Sequence, residues 1–342
     1  MRSTVVVTVA ILGAVVSGTA PALAQQVQQE QFQTYCVPSD PGLEELSGMT
    51  FVDGVLYAIG DSGTDHRLAV LDENCDVERW SAVPVDPYDV EDLASFGGDL
   101  WLADVGDNQL RRDTVALTRM DRTTGDGELH RLVYPDGPHD AEALLIEPGG
   151  RPIVVTKELT GVSGIYAPVG GLSVDDLPSP GPSPLEKLGE IAFERTATEG
   201  GPPFVTGSIL ATGGAVAGDG TVAAVRTYTD VYVFSVVDGD VAQALTGDPT
   251  VVALPARPQG EAVSFLTDGS LVVASESAGG SLPPVDKLSG AASLVQPPPA
   301  AEAAESPRTS QGGRWPIGAL AAAGVLAIVS LFYTVGRARG RN

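Results

Sequence analysis

Between Ser47 and Glu276 the chain repeats one unit five times: a short apolar strand, a turn of Gly or Asp-Gly, and a second apolar strand ending in polar residues. The turns are Asp53-Gly54, Gly97-Gly98, Gly149-Gly150, Asp219-Gly220 and Asp268-Gly269. Such dipeptides between apolar runs are the strongest short-range hairpin signal, because they accept the positive backbone angles that a two-residue turn needs. Every copy but the last is followed by a third strand-like run, at Leu68–Leu71, Val115–Thr118, Gly164–Ala167 and Val231–Phe234. Fourth runs follow at Glu78–Ala82 and Leu129–Val133. No convincing amphipathic helix interrupts them.

Repeated four-stranded units predict an all-β fold, a β-propeller, with a large β-sandwich as the other all-β arrangement. Copies begin about 44 to 72 residues apart, and a blade needs about 40 to 50. Five blades fit residues 25–280. The longest gap, with Pro/Gly-rich 168–184 and a lone strand near Glu190–Phe193, has room for a degenerate sixth. The fifth copy lacks an outer strand, which the N-terminal run Phe32–Val37 can supply to close the ring. Cys36 and Cys75 are the only cysteines; in an exported domain they are expected to pair, tying the closing strand to the first blade.

The two ends read differently. Residues 1–24 have a secretory pattern: Arg2, an apolar run from Val5 to Val16, and a small-x-small site at Ala22-Leu23-Ala24. Residues 315–335 are uncharged, long enough as a helix to span about 30 Å, and followed by Arg337, Arg339 and Arg341. This predicts one C-terminal transmembrane helix with a basic cytoplasmic tail at 336–342 and the propeller outside the cell. Residues 281–314, rich in Pro and Ala, read as a stalk. The expected address is the plasma membrane, single-pass.

Charge narrows the partners. The segment 25–313 carries 15 basic against 44 acidic residues, a net charge of −29. Such a domain does not hold a nucleic-acid backbone, and it repels anionic headgroups. It suits divalent cations or cationic partners. The expected contacts are the membrane, through the C-terminal helix, and a cell-surface protein or small ligand.

Motif chemistry is sparse. Gly60-Asp61-Ser62-Gly63 resembles the start of a serine-protease nucleophile motif, but all three histidines, His66, His130 and His139, come later in the chain. A hairpin turn is the simpler reading. The chain has no G-x-S-x-G elbow, no H-E-x-x-H and no P-loop. The repeat itself marks a site, because equivalent positions in a ring converge on its axis. Glu91, Glu142 and Glu261 open three first strands. Asp104, Lys157, Arg226 and Glu276 lie at or beside the ends of second strands, and Asp230 follows close behind. These eight are the candidate ligand-binding residues of a polar funnel. Crowded carboxylates need a cation or a basic neighbour: Lys157 and Arg226 as structural partners, or calcium, which takes carboxylate and carbonyl oxygens. The acids of Asp104-Val105-Gly106-Asp107-Asn108 make Asp104, Asp107 and Asn108 candidate metal ligands, against the alternative of a turn capped by its own side chains.

Three segments resemble a group of secreted β-propeller proteins of high-GC Gram-positive bacteria. They are Asp104–Asn108 with Arg111-Arg112, Ala141–Leu144 leading to Val155–Glu158, and Arg226-Thr227-Tyr228-Thr229-Asp230. The resemblance spans roughly residues 43–276. The group is loosely similar to propellers described as esterase-like or phytase-like, although the acid-rich calcium clusters of true phytase propellers are not clearly matched. Two functions are therefore expected: a cell-surface binding or scaffolding propeller, or a calcium-dependent hydrolase of phosphoesters or other esters working in the funnel.

Overall fold

The structure, a computed structural model, describes residues 31–295 other than Ser62. The N-terminal strand β1 (Phe32–Cys36) precedes five antiparallel sheets. The first holds β2 (Leu46–Val52), β3 (Val55–Gly60), β4 (Arg67–Leu71) and β5 (Val77–Ala82). The second holds β6 (Val90–Phe96), β7 (Asp99–Asp104), β8 (Val115–Asp121) and β9 (Gly127–Val133). The third holds β10 (Ala141–Ile146), β11 (Pro152–Thr156), β12 (Val162–Pro168) and β13 (Ser183–Ala192). The fourth holds β14 (Ala211–Val216), β15 (Val222–Thr227), β16 (Asp230–Ser235) and β17 (Thr250–Ala253). The fifth holds β18 (Gln259–Phe265), β19 (Leu271–Glu276) and β20 (Val285–Leu288), and takes β1 as its fourth strand.

The first strands β2, β6, β10, β14 and β18 are neighbours in that order, and β18 packs back on β2. The ring is closed, and this is a β-propeller arrangement. Each expected turn dipeptide joins the first two strands of its sheet. Between the sheets lie apolar clusters drawn from both neighbours, such as Ala143, Leu145, Ala223 and Val225 between the third and fourth. Burial of these β-branched and aliphatic side chains on both sheet faces supplies the main stabilisation, at about 25 cal/mol per Å² of apolar surface.

Three expectations are corrected. The long gap holds no sixth sheet among the described residues: its lone strand, β13, pairs with β12 as the outer strand of the third sheet. Two parallel pairings, Ser183↔Leu132 and Pro184↔Val133, join that outer edge to β9. The propeller runs past residue 280 into the expected stalk. Pro283-Pro284 stand just ahead of β20 rather than inside it, so its ladder bonds to β19 and β1 survive. One short helix, α1 (Val241–Leu245), sits in the β16–β17 connection and buries Val241, Ala242 and Leu245.

The closing strand is bonded as expected: Cys36 at the end of β1 is bridged to Cys75 in the β4–β5 turn, with Cα atoms 5.6 Å apart. No helix among the described residues is long and apolar enough to cross a membrane. The expected signal segment and membrane span lie outside the described residues.

Candidate functional site

Each first strand breaks register once, near its start. The shifts fall between Leu46 and Gly48, Val90 and Asp92, Ala141 and Ala143, Ala211 and Gly213, and Gly260 and Val263. The residues within them include Ser47, Glu91, Glu142, Thr212 and Glu261, all polar and all buried. A bulge of this kind re-aims a side chain out of the alternation of the strand. Repeated five times, it gathers these residues at one mouth of the ring. Ser47 and Thr212 are used in joining sheets: their hydroxyls donate to the carbonyls of Glu91 (2.7 Å) and Gly260 (2.9 Å) in the next sheet.

The three glutamates meet further acids. Oxygens of Asp61, Asp89 and Glu91 lie within 4.8 Å of one another, and so do oxygens of Glu91, Asp140 and Glu142. Asp89 and Asp140 each stand two residues before their glutamate, so Asp-x-Glu recurs on two neighbouring sheets. Lys157 pairs with Glu142 and also lies 3.0 Å from the Tyr228 hydroxyl. On the fifth sheet, Gln259 donates to Glu276, and Glu276 acts electrostatically on Glu261. One oxygen each of Glu142 and Glu261 is buried with no hydrogen-bond donor.

Burial, then crowding, raises these carboxyls. Glu142 is pushed up to about 8 by burial despite the pull of Lys157. Glu91 is held well above the usual range by burial and then by Glu142, Asp61, Glu261 and Asp89. Glu261 is likewise well above it, through burial and then Glu276. Burial carries Glu276 to about 7. Burial works against the Lys157 charge, but Glu142 and Tyr228 overcome it, so the ammonium stays protonated.

Of the sequence candidates, Glu91, Glu142, Lys157, Glu261 and Glu276 come together. The other three are structural. The Arg226 guanidinium is buried and donates to the carbonyls of Ala262 (2.9 Å) and Ala274 (3.0 Å), stitching the fourth sheet to the fifth. Asp230 accepts the hydroxyls of Thr196, Thr198 and Thr229, each at 2.7 Å, and so anchors the segment before β14. Asp104 pairs with Arg112 at 2.8 Å and accepts the N–H groups of Tyr88 and Asp89.

The expected ion loop is likewise a capped turn. Asp107 accepts the N–H groups of Arg111 (2.7 Å) and Arg112 (2.8 Å), and Asn108 is exposed at the turn. This loop supports the acidic mouth from behind, because Asp104 fixes the backbone of Asp89 and the Asp107 N–H donates to Asp140 at 2.8 Å.

Sequence reasoning missed Asp61, Asp89, Asp140, Tyr228 and Gln259. The Asp-x-Glu repeat was the available signal for Asp89 and Asp140; nothing local marked the others. It also missed Asp92, whose carboxylate is fully buried on the axis side of β6. A cavity of about 780 Å³ opens at the opposite end of the first strands, between residues such as Phe51, Ser95, Ile146, Val216 and Phe265. None of the clustered carboxylates lines it. This cavity and the ionisable chemistry therefore sit at opposite mouths, and the chemistry marks the site.

No protein-family model matches the chain, and no curated protein matches it. Among solved structures the chain is similar to a luciferin-regenerating enzyme, with 13% identity, 77% of this chain and 94% of that chain covered, and a TM-score of 0.37. A likeness of that degree carries no inference about chemistry.

Proposed function

We propose that this chain is an extracytoplasmic binding propeller, tethered by the apolar segment 315–335, that takes its ligand at the acidic mouth through a calcium ion held by Glu91, Asp140 and Glu142. The observation carrying this reading is the buried Glu142 oxygen that has no donor, set within a triad of carboxylate oxygens no more than 4.8 Å apart. Calcium–oxygen bonds of 2.3–2.6 Å accommodate that spacing, and the donor set is all oxygen, as calcium prefers. A bound ion would supply positive charge and open coordination positions for a ligand oxygen. Lys157 and Tyr228 flank the triad and would orient that ligand by hydrogen bonding.

A second reading is ester or phosphoester hydrolysis at the same mouth. It is favoured by Glu276, a carboxyl brought near neutrality by burial at about 7, where a general acid or base works best. The deciding experiment compares the purified chain with calcium and with chelator. A melting temperature raised by calcium and lost in Glu142→Gln supports the binding site; no calcium shift sinks it. Calcium-dependent turnover of phosphate or carboxylate esters, abolished by Glu276→Gln, selects the second reading.

A further inference from the structure

We propose that the loops around the acidic mouth are a docking surface for a protein segment that is both basic and apolar. This rests on the reading that the ligand enters at this mouth, and it names the partner; it holds with or without a bound ion.

Each first strand breaks register near its start, so all five start at the acidic mouth. Antiparallel pairing then brings the connections β5–β6, β7–β8, β11–β12 and β13–β14 to that same mouth. Each of the four carries a large apolar side chain in solvent: Tyr88 (68% exposed), Leu110 (56%), Leu159 (81%) and Phe204, fully exposed. Among the described residues, the large apolar side chains exposed at the opposite end are two valines, Val169 and Val237. A single exposed apolar residue needs no explanation, whereas several gathered on one face mark an interaction surface.

Two of these side chains are held out against a backbone cost. Leu110 and Phe204 have φ of 52° and 72°, the left-handed region that bulky side chains avoid. Neither is buried in return. Strain of this kind persists where function uses it. Two of the projections are also tied to the site residues. The Arg112 guanidinium, paired with Asp104, lies over the Tyr88 ring at 4.7 Å. The loop of Phe204 rests on Tyr228, because a Cβ at Gly201 or at Gly207 would stand 3.2 Å from the Tyr228 Cβ. Tyr228 is in turn 3.0 Å from the Lys157 ammonium.

Charge selects the occupant. Exposed Asp86 stands beside Tyr88 in its loop, Glu158 precedes Leu159, and exposed Glu199 lies earlier in the loop of Phe204. Of the basic side chains on the mouth connections, Arg112, Lys157 and Arg257 are engaged by Asp104, Glu142 and Asp286. A net charge of −29 over residues 25–313 repels a second copy and an anionic lipid surface alike. The described chain also ends at the other mouth, where the Ala292 N–H donates to the Gly269 carbonyl in the β18–β19 turn. A segment with Lys or Arg beside apolar residues meets both features. Its cations face Asp86, Glu158 and Glu199, and its apolar side chains cover Tyr88, Leu110, Leu159 and Phe204, as aromatic anchors are covered in interface cores.

The test places the full chain in phosphatidylcholine nanodiscs, with empty nanodiscs as baseline. Fluorescence anisotropy follows three labelled peptides, one of Lys and Leu, one of Lys and Ser, and one of Glu and Leu, each with calcium and with chelator. The Lys–Leu peptide should bind at least tenfold tighter than the other two. Leu159→Ser with Phe204→Ser should weaken it at least tenfold at unchanged melting temperature, and Val169→Ser with Val237→Ser should leave it unchanged. Equal affinity for the Lys–Leu and Lys–Ser peptides would assign the binding to bulk charge and overturn the docking surface. So would full Lys–Leu affinity in the Leu159–Phe204 double variant, or no binding above baseline. Capture of phosphatidylserine vesicles that is lost in that double variant, with the peptide unaffected, would give the loops to a lipid surface and overturn the proposal. The calcium shift in melting temperature reads the ion site separately: a shift without peptide binding sinks the docking surface alone, and peptide binding without a shift sinks the ion alone.

Discussion

The carboxylate of Asp92 accepts the backbone N–H of Gly214 at 2.9 Å, 122 residues later in the chain and two sheets further round the ring. The same oxygen accepts Leu144 N–H at 2.8 Å from the sheet between them, and the other oxygen accepts Leu93 N–H at 2.8 Å. One side chain thus ties three first strands together across the axis. Replacement by alanine strands three buried donors. Expected destabilisation is about 3–5 kcal/mol, taking about 1–3 kcal/mol for each unsatisfied group with partial relaxation. Asp92→Asn keeps an acceptor oxygen and should cost clearly less. Urea unfolding of the two variants checks the order; equal losses would contradict the staple.

The ion-free chain should grow more stable as pH falls from 8 toward 5. Burial raises Asp92 and Glu142 to about 8 and Glu276 to about 7. Unfolded carboxyls titrate near 4. Between those limits the folded chain binds more protons than the unfolded one, so stability is fully present below about pH 4 to 5 on this account and is lost as pH rises through 7 to 8. The exposed turn carboxyl of Asp268, lowered to about 2 by its bonds to Ser270, opposes this only below that window. Melting curves in chelator should show the trend, and saturating calcium should flatten it, because ligation needs the deprotonated forms. A melting temperature that climbs from pH 5 to 8 in chelator refutes the account.

Lys157→Met removes the ammonium and leaves Glu142 buried among acids. Breaking one partner of a buried pair costs about 3–5 kcal/mol. Glu142→Gln in the same background should recover part of that loss, because the stranded charge is gone. Saturating calcium should recover part of it in Lys157→Met alone. A double-mutant cycle by denaturant unfolding measures the coupling, and a value near zero would show the pair to be inert.

The Cys36–Cys75 bridge closes a segment with a sequence separation of 39 and fastens β1, the last strand of the ring, to the first sheet. Replacing both cysteines by serine should cost about 3–4 kcal/mol. The loss should be accompanied by faster hydrogen exchange in β1 and β20 before the other sheets. Uniform exchange across all five sheets would show that the bridge does not guard the closure.

Arg226→Lys tests a structural assignment. Lysine cannot reach the carbonyls of Ala262 and Ala274 with a planar fork. The variant should unfold at lower denaturant while keeping calcium affinity within about twofold if folded. A large affinity loss at unchanged stability would return Arg226 to the site.

The sequence alone determined the five repeated hairpins; that the long gap adds an outer strand to the third sheet rather than a sixth sheet, and that β20 lies past residue 280, were decided by the tertiary structure. The hairpins follow from local rules: apolar runs of strand length, and Asp-Gly or Gly-Gly turns that fix where each hairpin reverses. It also marked Glu91, Glu142 and Glu261, because a repeat puts matched residues at matched places. What it left open was direction and partnership. Arg226 and Glu142 are both buried polar residues near the start of an inter-sheet contact, yet one is spent on backbone carbonyls and the other keeps an oxygen without a donor. That difference is set by which strands become neighbours once the ring closes. Asp61 joins Asp89 and Glu91 for the same reason, through contacts between sheets that no spacing along the chain encodes.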